Sequence, residues 1–127
     1  MGENHIMGTR IELSSLGLKS PHLGKVQYLI NVSHFRDPLG NSFLTTTCAD
    51  GRDKNVQTWI RSDLRFSAVM DTIRCLANDA KTINLSHISI GLADHHGKWT
   101  APALTELAAK LVGQCEYPTK VIHYDLP

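Results

Sequence analysis

The sequence predicts a single small α/β domain: a sheet of about four to five strands, partly parallel, with helices packed on it. Three observations predict this. Strand-like and helix-like apolar periods follow one another in the order β–β–α–α–β–α–β. The stretch from Leu85 to His123 has the strand–loop–helix–strand order of a βαβ unit, whose right-handed crossover places both strands in a parallel sheet. A length of 127 residues is that of about one domain, large enough to bury a core without disulfide or metal staples.

Thr9–Leu16 sets Ile11 and Leu13, and less cleanly Ser15, against polar neighbours, which predicts a strand. Gly17–Gly24 carries Gly, Ser and Pro and reads as a loop. Val26–Val32 is a continuous apolar run with β-branched and aromatic residues, the pattern of a strand covered on both faces. His34–Ser42 holds Asp37-Pro38 and Gly40-Asn41 and predicts a loop or turn. A helix over Asp53–Arg61 follows from Val56 and Ile60 at i, i+4, with Asp53 as its N-cap. A second, Leu64–Ala80, carries the stripe Leu64, Val69, Ile73, Leu76 and Ala80, with Asp63 as N-cap. Leu85–Leu92 alternates into a strand whose loop begins at Gly91. Pro102–Val112 is a helix with Leu104, Leu107, Ala108 and Leu111 on one face and Gly113 beyond its end. Thr119–His123 closes as a short strand. Residues 1–10 are expected to be a flexible lead-in and 11–127 the domain; Met1–Gly8 has no apolar h-region of a signal peptide.

Composition narrows the function classes. Thirteen Lys and Arg against twelve Asp and Glu leave a net charge of +1, so no global basic field drives nonspecific nucleic-acid binding. A local basic face remains open, because Arg52, Lys54, Arg61, Arg65 and Arg74 fall in one stretch; the first four are the candidate RNA contacts. Three widely spaced cysteines without a CxxC pair fit neither a disulfide framework nor a zinc site, and point to a reducing, cytoplasmic setting. No apolar run reaches the roughly 18 residues of a transmembrane helix.

The segment Gly91–Thr100 concentrates the chemistry. A strand, a Gly-bounded polar loop and a helix N-terminus make an anion site, because unpaired backbone N–H groups and the helix dipole favour negative charge there. Gly91 and Gly97 bound the loop, Lys98 adds a cation, Thr100 a hydroxyl, and His95 or His96 an imidazole. Asp94 belongs to the same loop and would repel an anion if it pointed inward. The string is not a Walker A loop: five residues separate its glycines, and Trp99 stands where Ser or Thr should follow Lys. Asp94, His95 and His96 lack the spacing of metal ligands on a helix, and no metal or other cofactor is expected. An ordinary βα connection with solvated side chains accounts for the same residues. His34, Arg36 and Asp37 stand at the correct edge of the sheet for a site, and equally fit a plain loop.

These residues form an ordered pattern. Ser15-Leu-Gly-Leu-Lys19 resembles the Ser-Phe-Gly-Phe-Lys start of the C-terminal domain of the RNase adapter RapZ family. Tyr28–Val32 with Asp37-Pro38, Gly51-Arg-Asp-Lys-Asn-Val56, Ile88–Gly91 with Leu104–Leu111, and His123-Tyr-Asp-Leu126 resemble further segments of that domain in the same order. The resemblance runs over nearly the whole chain from about Ile11. It implies a non-enzymatic adaptor domain that binds a phosphorylated small molecule, an amino-sugar phosphate or a nucleotide-like compound, and presents RNA to a ribonuclease. It also implies self-association into a homo-oligomer. The ligand would be held at the loop, with Asn31, Lys19, Gly51 and Asp53 lining the pocket. The chain departs from the family where Asn31 replaces an aspartate, Ser33 an arginine, and Leu92-Ala93-Asp94-His95 a Cys-Thr-Gly-Gly segment. Two other readings stay open: a small phosphoryl-transfer or hydrolytic enzyme using His95 or His96, and a protein-interaction module, such as a phage protein, that keeps the fold without the ligand.

Overall fold

The computed structural model describes residues 8–35 and 38–127. Four strands, β1 (Arg10–Gly17), β2 (Tyr28–Asn31), β3 (His87–Asp94) and β4 (Thr119–His123), pair in the order β2-β3-β1-β4. Every pairing is parallel. Among the described residues, four α-helices complete the α/β fold: α1 (Ser42–Thr47), α2 (Lys54–Arg61), α3 (Phe66–Thr82) and α4 (Thr100–Gln114). The expected βαβ unit is β3–α4–β4, but its strands are not neighbours, because β1 lies between them. Helix α4 lies against β1, β3 and β4, and α2 and α3 lie against α4. Among the described residues no helix is long and apolar enough to cross a membrane.

The two inner strands are the apolar ones. Ile11 and Leu13 of β1 and Ile88, Ile90 and Leu92 of β3 are wholly buried in one core with Ile60, Ile73, Leu104 and Val112. The register Arg10↔His87 through Gly17↔Asp94 brings β1 and β3 to an end at the same level. The loops after them therefore share one edge of the molecule, the carboxyl edge, where ligands bind in parallel sheets.

Several expectations require correction. The Val26–Val32 run is not a strand covered on both faces: β2 is a four-residue edge strand, with Tyr28 and Leu29 41% and 46% exposed. Its apolar ends serve other contacts, Val26 against the backbone at Gly91 and Val32 in the core. The strand expected to yield to loop at Gly91 continues to Asp94, so Gly91 lies inside β3. The loop expected at His34–Ser42 gives way to α1 at Ser42, capped by Asn41 Oδ1 accepting from the Leu44 amide at 3.2 Å and anchored by buried Leu44. Helix α3 starts at Phe66, and Leu64 is 96% exposed instead of joining the apolar stripe. Asp63 accepts from the Arg65 amide at 2.9 Å, bracing the turn before the helix instead of acting as its N-cap residue. Helix α4 begins at Thr100, so Pro102 falls within its first turn, where a missing N–H costs nothing. The lead-in as far as Met7, and Arg36 and Asp37 after β2, lie outside the described residues.

Candidate functional site

The β3–α4 loop is organised by a carboxylate. Asp94, the last residue of β3, is buried, and its Oδ1 accepts from the amides of His96 (3.1 Å) and Gly97 while Oδ2 accepts from the Ala101 amide at 2.8 Å. Trp99, at the N-cap of α4, makes no side-chain cap, so Asp94 supplies the negative charge and acceptor that a helix start favours. The His96, Gly97 and Ala101 N–H groups are thus satisfied from within the chain. Gly97 has φ +70°, and a Cβ there would lie 2.8 Å from the Gly17 nitrogen, so the loop folds flat over the end of β1 only with glycine at this position.

A second turn docks on the same helix end. The Gly51 amide donates to the Lys98 carbonyl at 2.8 Å, and a Cβ at position 51 would lie 2.0 Å from the Trp99 carbonyl oxygen. Beside it, the buried Asp50 carboxylate is gripped by Arg52 through Nε at 3.0 Å, Nη2 at 2.7 Å and the backbone amide at 2.8 Å. These bonds hold the Asp50 carboxyl below the usual carboxylate range, against the opposing effect of burial; the nearby His123 adds a smaller pull in the same direction. Asp53 caps α2, accepting from the Asn55 amide at 2.8 Å.

The carboxyl edge carries two adjoining hollows that share His96 and Lys98. The smaller, about 30 Å³, lies among Ser33, Phe35, His95, Trp99 and Thr100, and has room for a water or two. The larger, about 360 Å³, is bordered by Asp50, Arg52, His96, Lys98 and Asp125. That volume falls in the range of small-molecule sites, roughly 300–1,000 Å³. Lys98 Nζ stands 5.2 Å from the centre of the Trp99 ring, which gives the flexible ammonium a preferred position.

Of the residues picked from the sequence, His95, His96, Lys98 and Thr100 are brought together, with Arg52 from the basic stretch joining them. Asp94 and Gly97 build the loop, and Gly51 and Asp53 build the turn that carries Asp50 and Arg52. Gly91 is an interior strand residue paired with Ser14. Asn31 lies apart, bordering a separate hollow with His34 and Arg65, and Lys19 is exposed after β1 without lining either of the two hollows. Lys54 is exposed on α2, while Arg61 borders a third hollow with Lys110 of α4, so the four candidate RNA contacts do not share one hollow.

Sequence reasoning missed a polar chain behind this edge. Ser15 Oγ lies 2.6 Å from His123 Nδ1, and His123 Nε2 lies 2.6 Å from Glu106 Oε2. The parallel register sets Ser15 beside His123, and Glu106 reaches them from α4. The signal available was Ser15 itself, the residue that broke the alternation of the first strand. Although serine, histidine and a carboxylate are the parts of a hydrolytic triad, the burial is inverted: Ser15 is wholly buried while the Glu106 side chain is 34% exposed. The chain of bonds ties β4 and α4 to β1.

No family model matches the chain. A nucleotide-binding protein of Cereibacter sphaeroides is 31% identical to it over 81 residues, which are 61% of this chain and 27% of that protein. The chain thus spans about a quarter of the length of the curated relative it matches.

Proposed function

We propose that this domain binds a phosphorylated small molecule of the nucleotide or amino-sugar phosphate class in the hollow bordered by Asp50, Arg52, His96, Lys98 and Asp125. The observation that carries the reading is the convergence of two cations and an imidazole on one hollow of about 360 Å³ at the carboxyl edge of a parallel sheet. The similarity to a protein named as nucleotide-binding supports it. So does the resemblance to RapZ C-terminal domains, whose ligand is an amino-sugar phosphate.

Asp94 holds the His96, Gly97 and Ala101 amides, and the anion contacts in this reading come from side chains. Lys98 and His96 meet the phosphate, with Lys98 acting as a point charge. Arg52, fixed by Asp50, presents the outer edge of a preorganised guanidinium, and the carboxylate of Asp50 accepts from sugar hydroxyl or ammonium groups. The role is binding, not catalysis. RNA binding has less support, because Arg52, Arg61 and Arg65 border three different hollows and do not form one basic face.

A thermal-shift screen against inorganic phosphate, amino-sugar phosphates and nucleoside phosphates tests the reading. A ligand that binds only the folded chain adds about 2.7 kcal/mol at a hundredfold excess over Kd. The expected result is a shift with one phosphate ester that Lys98→Ala and Arg52→Ala each abolish. No shift with any of them, or a shift that survives both substitutions, overturns it.

A further inference from the structure

Among the carboxylates that accept from backbone N–H groups at the carboxyl edge, Asp94 and Asp125 have different surroundings. Asp94 is buried, holds three amides and caps α4, so it is part of the framework. Asp125 is exposed. Its Oδ2 accepts from the Gly17 amide at 2.7 Å, and its Oδ1 accepts from the Ser20 hydroxyl at 3.3 Å. A backbone N–H and a hydroxyl converging at the end of a parallel strand are the donors that hold a phosphate oxygen elsewhere in α/β proteins. Here the acceptor on both donors is the Asp125 carboxylate.

The position links this seat to the larger hollow. Asp125 borders the hollow opposite Arg52 and Lys98. Gly17 lies directly beneath His96, whose backbone carbon a Cβ at position 17 would approach to 3.1 Å. The segment that delivers Asp125 is fastened by the Tyr124 amide, which donates to the Ser15 carbonyl at 3.0 Å, by Tyr124 stacking on His22 with ring centres 4.8 Å apart, and by Lys25 Nζ 5.5 Å from the Tyr124 ring centre.

We propose that the Gly17 amide and the Ser20 hydroxyl form an oxyanion seat for a phosphate oxygen of the ligand, and that Asp125 fills this seat until the ligand displaces it. The inference rests on the hollow being the ligand site. Ligand binding then has to break the Asp125 contacts, so the resting chain binds more weakly than one with the seat open. Asp125 is a competitor of the ligand's phosphate.

The test is an amide-resolved NMR titration with inorganic phosphate as the probe, on the full chain and its variants. Asp125→Ala is expected to bind phosphate about tenfold more tightly than the parent, with Asp125→Asn between them and the Gly17 amide among the resonances that move. Adding Ser20→Ala to Asp125→Ala should remove the gain, which a mere loss of negative charge would not do. An unchanged affinity in Asp125→Ala, a gain indifferent to Ser20, or a Gly17 amide that phosphate leaves unmoved each overturns the seat. Lys98→Ala separates the two claims. If phosphate binding depends on Lys98 while Gly17 stays still, the hollow stands and the seat fails. If Gly17 responds regardless of Lys98, the seat stands and the reading of the hollow fails.

Discussion

Asp94 shows how one side chain sets the character of the loop. Buried with three amides on its carboxylate, it stands where a bound anion would stand in a phosphate-binding loop. Replacing it leaves amides of the loop and of the α4 start without an acceptor, so Asp94→Ala should cost about 2–3 kcal/mol in urea unfolding. Asp50 makes a different prediction. Arg52 lowers its pKa in the folded chain, so folding disfavours the proton that the unfolded chain binds. The stabilisation is fully present above the unfolded carboxylate range and is lost as pH falls through the lowered value. Because the Arg52 side chain is 45% exposed, the pair contributes at most about 1 kcal/mol. Asp50→Asn should therefore lower stability near neutral pH by no more than this, with the gap to the parent closing in acid; a gap that widens in acid contradicts the assignment.

Helices and strands differed in how far their patterns could be read. The α4 stripe was legible because Leu104, Leu107 and Ala108 repeat at helical spacing and are buried. Helix α1 was not, because six residues carry less than two turns of pattern, and the signal that starts it is a single Asn41 cap. The outer position of β2 was hidden for another reason: an apolar run looks the same whether neighbouring strands flank it on one side or two. Packing between elements yields a sharper test. Gly51 allows the α2 lead-in to touch the first turn of α4, where a Cβ would meet the Trp99 carbonyl at 2.0 Å. Gly51→Ala should cost about 3 kcal/mol through overpacking, measured by chemical denaturation. It should also weaken ligand binding, since the same turn carries Arg52.

At the scale of the molecule, the sequence placed the β3–α4 loop at the carboxyl edge but did not show which distant residues fold up beside it. The β3–α4 connection is at the carboxyl edge as expected, and His96 and Lys98 border the larger hollow. Asp125 joined them only through folding, since β4 pairs with β1 and brings the residues after it alongside Gly17. Such convergence from distant segments leaves no local spacing to read. The same holds for Ser15, His123 and Glu106, whose alignment depends on the strand order β3-β1-β4.

The measurement that bears most directly on the account is a crystal structure of the chain grown with the phosphate ester that gives the largest thermal shift. The account predicts the phosphate in the hollow between Arg52 and Lys98, within hydrogen-bond reach of the Lys98 ammonium. A phosphate ester bound against Arg61 or Arg65 instead, with the hollow left to solvent, would contradict it.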